Sequence, residues 1–401
     1  MQYLKFQADQ IFTGFELLNS DHVLITDNEG KIRDIVLQQD AGGEVQKLSG
    51  IICPGLINCH CHLELSHLKN VIPPGTGLIE FLCSVVTKRE SSPGQPGSEI
   101  DPGRKIRAIE AAEKEMYENG IVAVGDIGNT ADSVSVKSTS SIYWQNFIEV
   151  LSFTDEKAEE NMVHYKEVLQ SFNNGLHSSP VPHRSSLVPH SPYSISPKTF
   201  QLINELTKDQ IISIHNQEHP AEDELYKTGG GDYLKLFLIF GVTKSPFPVT
   251  GKTSLRSCLP YFNNGQTILL IHNTYMPEED IVFANDYARK NGLTLAYCLC
   301  PNANLYIENS LPPIELFMKH NCDLVLGTDS YSSNWQLSIA KEMEAIQKHF
   351  PQIPLAKILQ WATINGAKTL RWDKNLGSFE KGKKPGISLV DPAHWISKRL
   401  L

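Results

Sequence analysis

The sequence predicts an α/β protein, a (β/α)8 TIM-like barrel carrying a small β-sandwich domain built from both chain termini. Three observations carry this expectation. Eight apolar, β-branched segments that end in polar residues are strung along the middle of the chain. Between several of them lie stretches in which apolar residues recur at three- and four-residue spacing, the pattern of an amphipathic helix. The two ends carry short β-rich runs punctuated by turn signals instead.

Taken in order, "YLKFQADQIFTG" and "HVLITDNEGKIRDIVLQQD", with Asp-Asn-Glu-Gly and Ala-Gly-Gly turns, read as antiparallel strands rather than βαβ units. The eight central strands are "GLINCHC", "IVAVGDIGN", "IYWQNFIEV", "SSLVPHSPYS", "IISIHNQE", "TILLIHN", "TLAYCLCP" and "DLVLGTDS", with helices such as "RKIRAIEAAEKEMYEN" and "EEDIVFANDYARKN" between them. Alternation of this kind places the active site at the C-terminal strand ends. The Pro/Gly/Ser-rich tract "ESSPGQPGSEIDPG" (90–103) reads as a long loop on that side and a candidate lid. "LGSFEKGKKPGISLVDPAHW" returns to a turn-rich strand pattern whose natural partner is the N-terminal sheet. The expected domains are therefore 1–53 plus 373–401 for the composite β-sandwich and 54–372 for the barrel.

At 401 residues, 41% hydrophobic and 20% charged, the chain is long enough for a sizeable core and has the composition of a soluble globular protein. A net charge of -9 argues against a polyanion-binding surface, and nucleic acid is not an expected partner. No apolar run is long enough to span a membrane, and "MQYLKFQADQIFTG" lacks the pattern of a signal peptide, so cytoplasmic residence is expected. Eight cysteines are too dilute for a disulfide framework, and with no Cys-x-x-Cys pair reduced thiols are expected. The expected partner is a small-molecule substrate; a homodimer is open.

The chemistry-bearing residues sit where the strands end. His60 and His62 flank Cys61 after the first strand, and in extended backbone residues two apart face the same way. His215 closes "IISI", His272 closes "TILLI" and Asp329 follows "DLVLGT". Inward-pointing side chains at the ends of barrel strands converge, so histidines and an aspartate from four strands can share one cation. Other signatures compete for the same residues. His-x-x-Glu-His at 215–219 imitates an inverted metalloprotease helix, but β-branched residues precede His215 and Pro220 biases His219 away from helical geometry. His219 is then a loop residue, pocket-lining or solvent-facing. "HLE" at 62–64 imitates a cytidine-type deaminase but lacks the Pro-Cys-x-x-Cys partner, so Glu64 reads as a structural loop carboxylate. "TGGGDY" (228–233) lacks the ending of a phosphate loop and reads as a hinge.

"PGLINCHCHLE", "IHNQE", "IHNTY" and "LGTDSYSSN" resemble the strand 1, 5, 6 and 8 signatures of the amidohydrolase superfamily, nearest the adenosylhomocysteine and aminofutalosine deaminases and the triazine chlorohydrolases. "PHSPYSIS", "CPNANLYI" and "ATINGAKTLRWDKNLGSFEKGK" extend the resemblance over nearly the whole chain. The resemblance implies that His60, His62, His215 and Asp329 are metal ligands, that Glu218 is the proton shuttle, and that His272 bonds the attacking water or the developing tetrahedral centre. His190 in "PHSPYS" resembles a substrate-contact histidine of that branch. Dinuclear relatives carry a lysine at the end of strand 4, and "SLVPHSPYS" has none, so one divalent ion is expected: Zn2+ first, with Fe2+ or Mn2+ accommodated by the same ligands.

Such an ion lowers the pKa of bound water. With Glu218 moving protons and Asp329 accepting a hydrogen bond from the nucleophile, the expected reaction is hydrolytic deamination of an aminated heteroaromatic ring, a purine nucleoside derivative first, with release of ammonia. His190 would contact a ribose hydroxyl, and Glu90 is a second candidate for that contact. The alternatives are hydrolysis of an amide, a cyclic imide or a carbon–chlorine bond at the same site, and a non-catalytic scaffold that has kept the fold.

Overall fold

A computed structural model describes residues 3–89 and 102–401. Glu90 and most of the 90–103 tract lie outside the described residues; Pro102 and Gly103, assigned to that loop from the sequence, open the helix Pro102–Glu118. The molecule is mixed α/β with parallel sheets. Eight strands occupy the predicted positions: Leu56–Cys61 (β1), Ile121–Gly128 (β2), Tyr143–Val150 (β3), His183–Pro189 (β4), Ile211–Asn216 (β5), Thr267–His272 (β6), Thr294–Leu299 (β7) and Leu324–Leu326 (β8). They form two four-stranded parallel sheets, β4-β3-β2-β1 and β5-β6-β7-β8. Backbone hydrogen bonds cross both seams between these sheets. His215 N donates to His190 O at 2.9 Å between β5 and the end of β4, and Thr328 N and Asp329 N both donate to His60 O at 3.0 Å between β8 and β1.

β1, β2, β5 and β6 are buried along their whole length, as near-continuous apolar strands covered on both faces must be. The helix Glu278–Asn291 coincides with its sequence pattern and ends on Gly292 in the left-handed conformation. "SSLVPHSPYS" is shorter as a strand than the sequence reads. It stops at Pro189, and a 3-10 turn at Pro192–Ser194 follows, because the two prolines have no N–H to continue a ladder.

The chain ends build two further sheets. Ile51–Pro54 pairs antiparallel with Ile387–Asp391, so the C-terminal strands do return to the N-terminal ones. The all-antiparallel expectation needs correction. Tyr3–Gln7 pairs parallel with Gln46–Lys47, and Gln10–Phe12 pairs parallel with Ile51–Pro54. Asp9 fixes this return crossing by accepting from Ser49 Oγ at 2.9 Å and Gly50 N at 2.7 Å. Phe6, Ile11, Leu24, Ile52, Phe379 and Ile387, drawn from both ends of the chain, share a small core separate from the main one. All eight cysteines are free thiols. No helix among the described residues is long and apolar enough to cross a membrane.

Candidate active site

The polar residues that close the strands meet at one end of the parallel sheets. His60 lies in β1, His62 directly follows it, His215 lies in β5, His272 ends β6, and Asp329 follows β8. Ligand-type atoms of His60, His62 and His215 lie within 4.8 Å of one another, and so do those of His60, His272 and Asp329. Asp329 Oδ1 is 3.4 Å from His60 Nε2 and 3.5 Å from His62 Nε2. Two ligands of a tetrahedral zinc ion, each about 2.0–2.1 Å from it, stand about 3.4 Å apart, so these separations are those of a metal's ligand edge.

Local structure explains how β8 approaches β1 so closely. A side chain on Gly327 would bring its Cβ to 2.7 Å from His60 Cβ and 2.9 Å from Cys298 Sγ, so only glycine fits. Asn58 accepts from Thr328 N at 3.0 Å and donates to Thr328 Oγ1 at 2.7 Å, tying the same two strands. His272 and Asp329 both hold positive φ, 67° and 55°, a conformation non-glycine residues seldom adopt and one that clusters at functional sites.

Hydrogen bonds from behind orient Asp329, His215 and His272. Ser333 Oγ donates to Asp329 Oδ2 at 2.5 Å, leaving Oδ1 for the histidines. His215 Nδ1 donates to His190 O at 2.8 Å, which fixes the tautomer and turns Nε2 inward. Asn304 Nδ2 donates to His272 Nδ1 at 3.3 Å, so the proton of this ring sits on Nε2, 3.5 Å from Glu218 Oε1. The segment after His62 hangs on Leu63 N, which donates to Asp126 Oδ1 at 2.8 Å; Asp126 is paired with Lys137, itself fully buried and bonded to Asn146 Oδ1 at 2.8 Å.

Burial sets the protonation states. It pushes His60, His62 and His272 well below the ordinary imidazole value and lowers His215 as well, so all four rings are neutral, as metal ligation and hydrogen-bond donation require. Burial, with Asp329, Glu222 and Glu308 adding to it, raises the Glu218 carboxyl well above its ordinary value. Both ring nitrogens of His60 are buried without a hydrogen-bond partner. Buried imidazole nitrogens rarely go unpartnered, and a neutral ring among two more imidazoles and a carboxylate fits a divalent ion.

His62, His215, Glu218, His272 and Asp329 line a cavity of about 870 Å³, mouth included, with His60 buried behind them. His190, directly after β4, faces it beside His215, the two ring centroids 4.9 Å apart. Glu64 is on the wall in a structural role: it accepts from Asn129 N and Thr130 N at 3.1 Å, from Thr130 Oγ1 at 2.9 Å and from Arg89 Nη2 at 2.5 Å. His219 is not a site residue. Its Nδ1 accepts from Ala221 N at 3.1 Å, capping the helix Pro220–Thr228, while His215 remains on a strand, so no helix presents the pair. The "TGGGDY" segment, expected to be a hinge, joins this helix to Tyr233–Ile239, with Gly229 left-handed at the helix end.

Sequence reasoning missed Glu149 of β3, which faces the cavity beside His190. The signal was available, since it is a polar residue near the end of the apolar segment "IYWQNFIEV" and obeys the same rule as the histidines. Burial raises its carboxyl to about 8. Arg89 and Asn304 were also missed; they become site residues only through contacts that cross the fold.

Residues 51–399 match the amidohydrolase family. The chain belongs to that family. Over 351 residues it is 24% identical to the 5-methylthioadenosine/S-adenosylhomocysteine deaminase of Thermoanaerobacter pseudethanolicus, covering 85% of this chain and 73% of the relative. Helicobacter pylori aminofutalosine deaminase in complex with methylthio-coformycin is a structural neighbour with a TM-score of 0.75 and 21% identity, covering 96% of this chain and 92% of that one. An adenosine deaminase from Xanthomonas campestris with bound zinc gives a TM-score of 0.70 at 18% identity, covering 97% and 84%. The family and these neighbours imply a TIM-barrel fold.

Proposed function

We propose that this amidohydrolase is a divalent-metal-dependent deaminase that hydrolyses the amine-bearing carbon of a purine nucleoside derivative and releases ammonia. The observation that carries the reading is the meeting of His60, His62, His215 and Asp329 Oδ1 at ligand-edge distances, with Glu218 and His272 Nε2 beside them. The names of the curated relatives support the substrate class. On this reading His60, His62, His215 and Asp329 hold one ion, with zinc favoured by three imidazoles and one carboxylate. No lysine lines the cavity among the described residues, which supports one ion rather than two.

When bound, the ion supplies hydroxide near neutral pH by acidifying water. The chain's own residues do the rest. Asp329 accepts a hydrogen bond from the nucleophile. Glu218 acts as a carboxylate to take the water proton, its raised proton affinity lets it keep that proton, and it then delivers it to the ring nitrogen; this turns the C=N carbon into a better electrophile. His272 donates from Nε2 to the oxygen at the tetrahedral carbon; the proton of that hydroxyl passes by way of Asp329 to the amino group, and collapse forms the C=O bond, breaks the C–N bond and releases ammonia. His190 contacts the sugar. The retained ligand set together with Glu218 and His272 argues against a non-catalytic scaffold.

We further infer that the two parallel sheets are halves of one eight-stranded barrel spanning 54–372, with 1–53 and 373–401 packed as a composite β-sandwich. The hydrogen bonds across both seams and the small core shared by the chain ends support this. The functional reading is tested by assaying ammonia release from aminopurines, their nucleosides and N-acyl amino acids. Turnover of aminopurine nucleosides is expected; hydrolysis of N-acyl substrates with every amine inert overturns it.

A further inference from the structure

Glu149 is 5% exposed, and its two oxygens have different surroundings. Oε2 accepts a long hydrogen bond from Asn129 Nδ2 at 3.4 Å, while Oε1 is buried with no hydrogen-bond partner. Oε1 points at two histidines without reaching either: His190 Nε2 is 3.9 Å away and His215 Nδ1 is 4.0 Å away. A buried carboxylate oxygen with nothing to accept from is costly, and such an atom on a cavity wall calls for a ligand.

These three residues also group as a possible cation site. That assignment fails on donor count. His215 Nδ1 already donates to His190 O, so it carries a proton and has no lone pair to offer; two donors remain, too few for a cation. A hydroxyl fits better. His190 Nδ1 is held by Ser191 Oγ and Ser194 Oγ, both at 2.9 Å, which leaves Nε2 facing the cavity. A ligand oxygen about 2.8 Å from both His190 Nε2 and Glu149 Oε1 would subtend an angle of about 90° across their separation, a geometry one hydroxyl can meet by accepting from one side and donating to the other.

We propose that Glu149 is a specificity-determining residue that accepts a hydrogen bond from a sugar hydroxyl of the substrate, paired with His190 on the same hydroxylated moiety. This rests on the nucleoside reading above. It places recognition on β3 and β4 and the chemistry on β5, β6, β8 and β1, with His215 between, its ring centroid 4.9 Å from that of His190 and 5.5 Å from that of His272.

The test measures binding of inosine and 2′,3′-dideoxyinosine to the metal-loaded protein by calorimetry; neither ligand carries the reacting amine. Wild type should bind inosine about 10- to 100-fold more tightly, the scale of leaving a buried acceptor unsatisfied. Glu149→Met, which removes the acceptor and keeps the length of the side chain, should lose most of that preference while keeping its metal content and its affinity for the dideoxy ligand. Glu149→Asp keeps the carboxyl but retracts it, and should fall between the two. Equal loss for both ligands would make Glu149 a structural support, and an unchanged preference would remove it from recognition; either overturns the assignment, as does failure of wild type to bind either nucleoside. The deaminase reading fails separately, when wild type binds inosine with the expected preference yet releases no ammonia from any aminopurine nucleoside.

Discussion

The two halves of the cavity floor follow one rule, a polar residue at the end of an apolar strand, yet they differ in spacing. On the half formed by β1, β5, β6 and β8, polar atoms crowd to 3.4–3.5 Å around Asp329 Oδ1, and hydrogen bonds from behind fix the directions of Asp329 and His215. On the half formed by β3 and β4, Glu149 Oε1 stands 3.9 Å from His190 Nε2 and 4.0 Å from His215 Nδ1. The tighter spacing suits an ion; the looser one suits ligand atoms between the side chains. Above them the wall turns apolar, with Leu78, Phe81 and Val85 from the helix Leu78–Lys88 joined by Leu236 and Phe240. On the proposed assignment, spacing more than residue type separates chemistry from recognition in this cavity.

Substitutions on the crowded half should cost most. Asp329→Asn should lower kcat/KM by more than about 10^3-fold and reduce metal content measured by mass spectrometry, well beyond the 10- to 100-fold typical of residues that merely support a ligand. If Asp329→Asn kept full activity, the ligand assignment would be wrong. Glu218→Gln should lower kcat by about 10^2- to 10^4-fold with metal content unchanged, because it removes proton transfer and leaves the ion in place. Unaltered turnover in that variant would move the proton shuttle elsewhere.

Metal removal sharpens the comparison through stability. A ligand that binds only the folded state stabilises by about 3–4 kcal/mol at 100 to 1,000 times its dissociation constant, so chelation should lower the Tm of wild type and have a smaller effect on Asp329→Asn. Equal shifts in both would show that the chelator acts away from this cluster. The smallest effect belongs to His219. His219→Ala should cost about 0.5–1 kcal/mol through loss of the helix cap, measured by denaturant unfolding, with metal content and activity intact. Loss of metal in that variant would revive the His-x-x-Glu-His reading.

Much of this was legible in the sequence, for identifiable reasons. Strand positions showed because a strand covered on both faces must be apolar throughout, so a polar residue at its end stands out, as at His215 and His272. The helix Glu278–Asn291 was legible because its apolar face, first-turn acids and closing glycine agree. Other features had no local signature. The positive φ at Asp329 and His272 belongs to no sequence pattern, and the parallel pairing of Gln10–Phe12 with Ile51–Pro54 depends on where the chain returns. Arg89 is held at the cavity by Glu64 and Asn129, contacts between segments far apart in the chain.

The central claim is one ion serving a deamination. Metal-free protein titrated with Zn2+ while ammonia release from an aminopurine nucleoside is followed tests it most directly. Activity should rise linearly and break at one equivalent per chain. A break at two equivalents, or full activity before any metal is added, would contradict it.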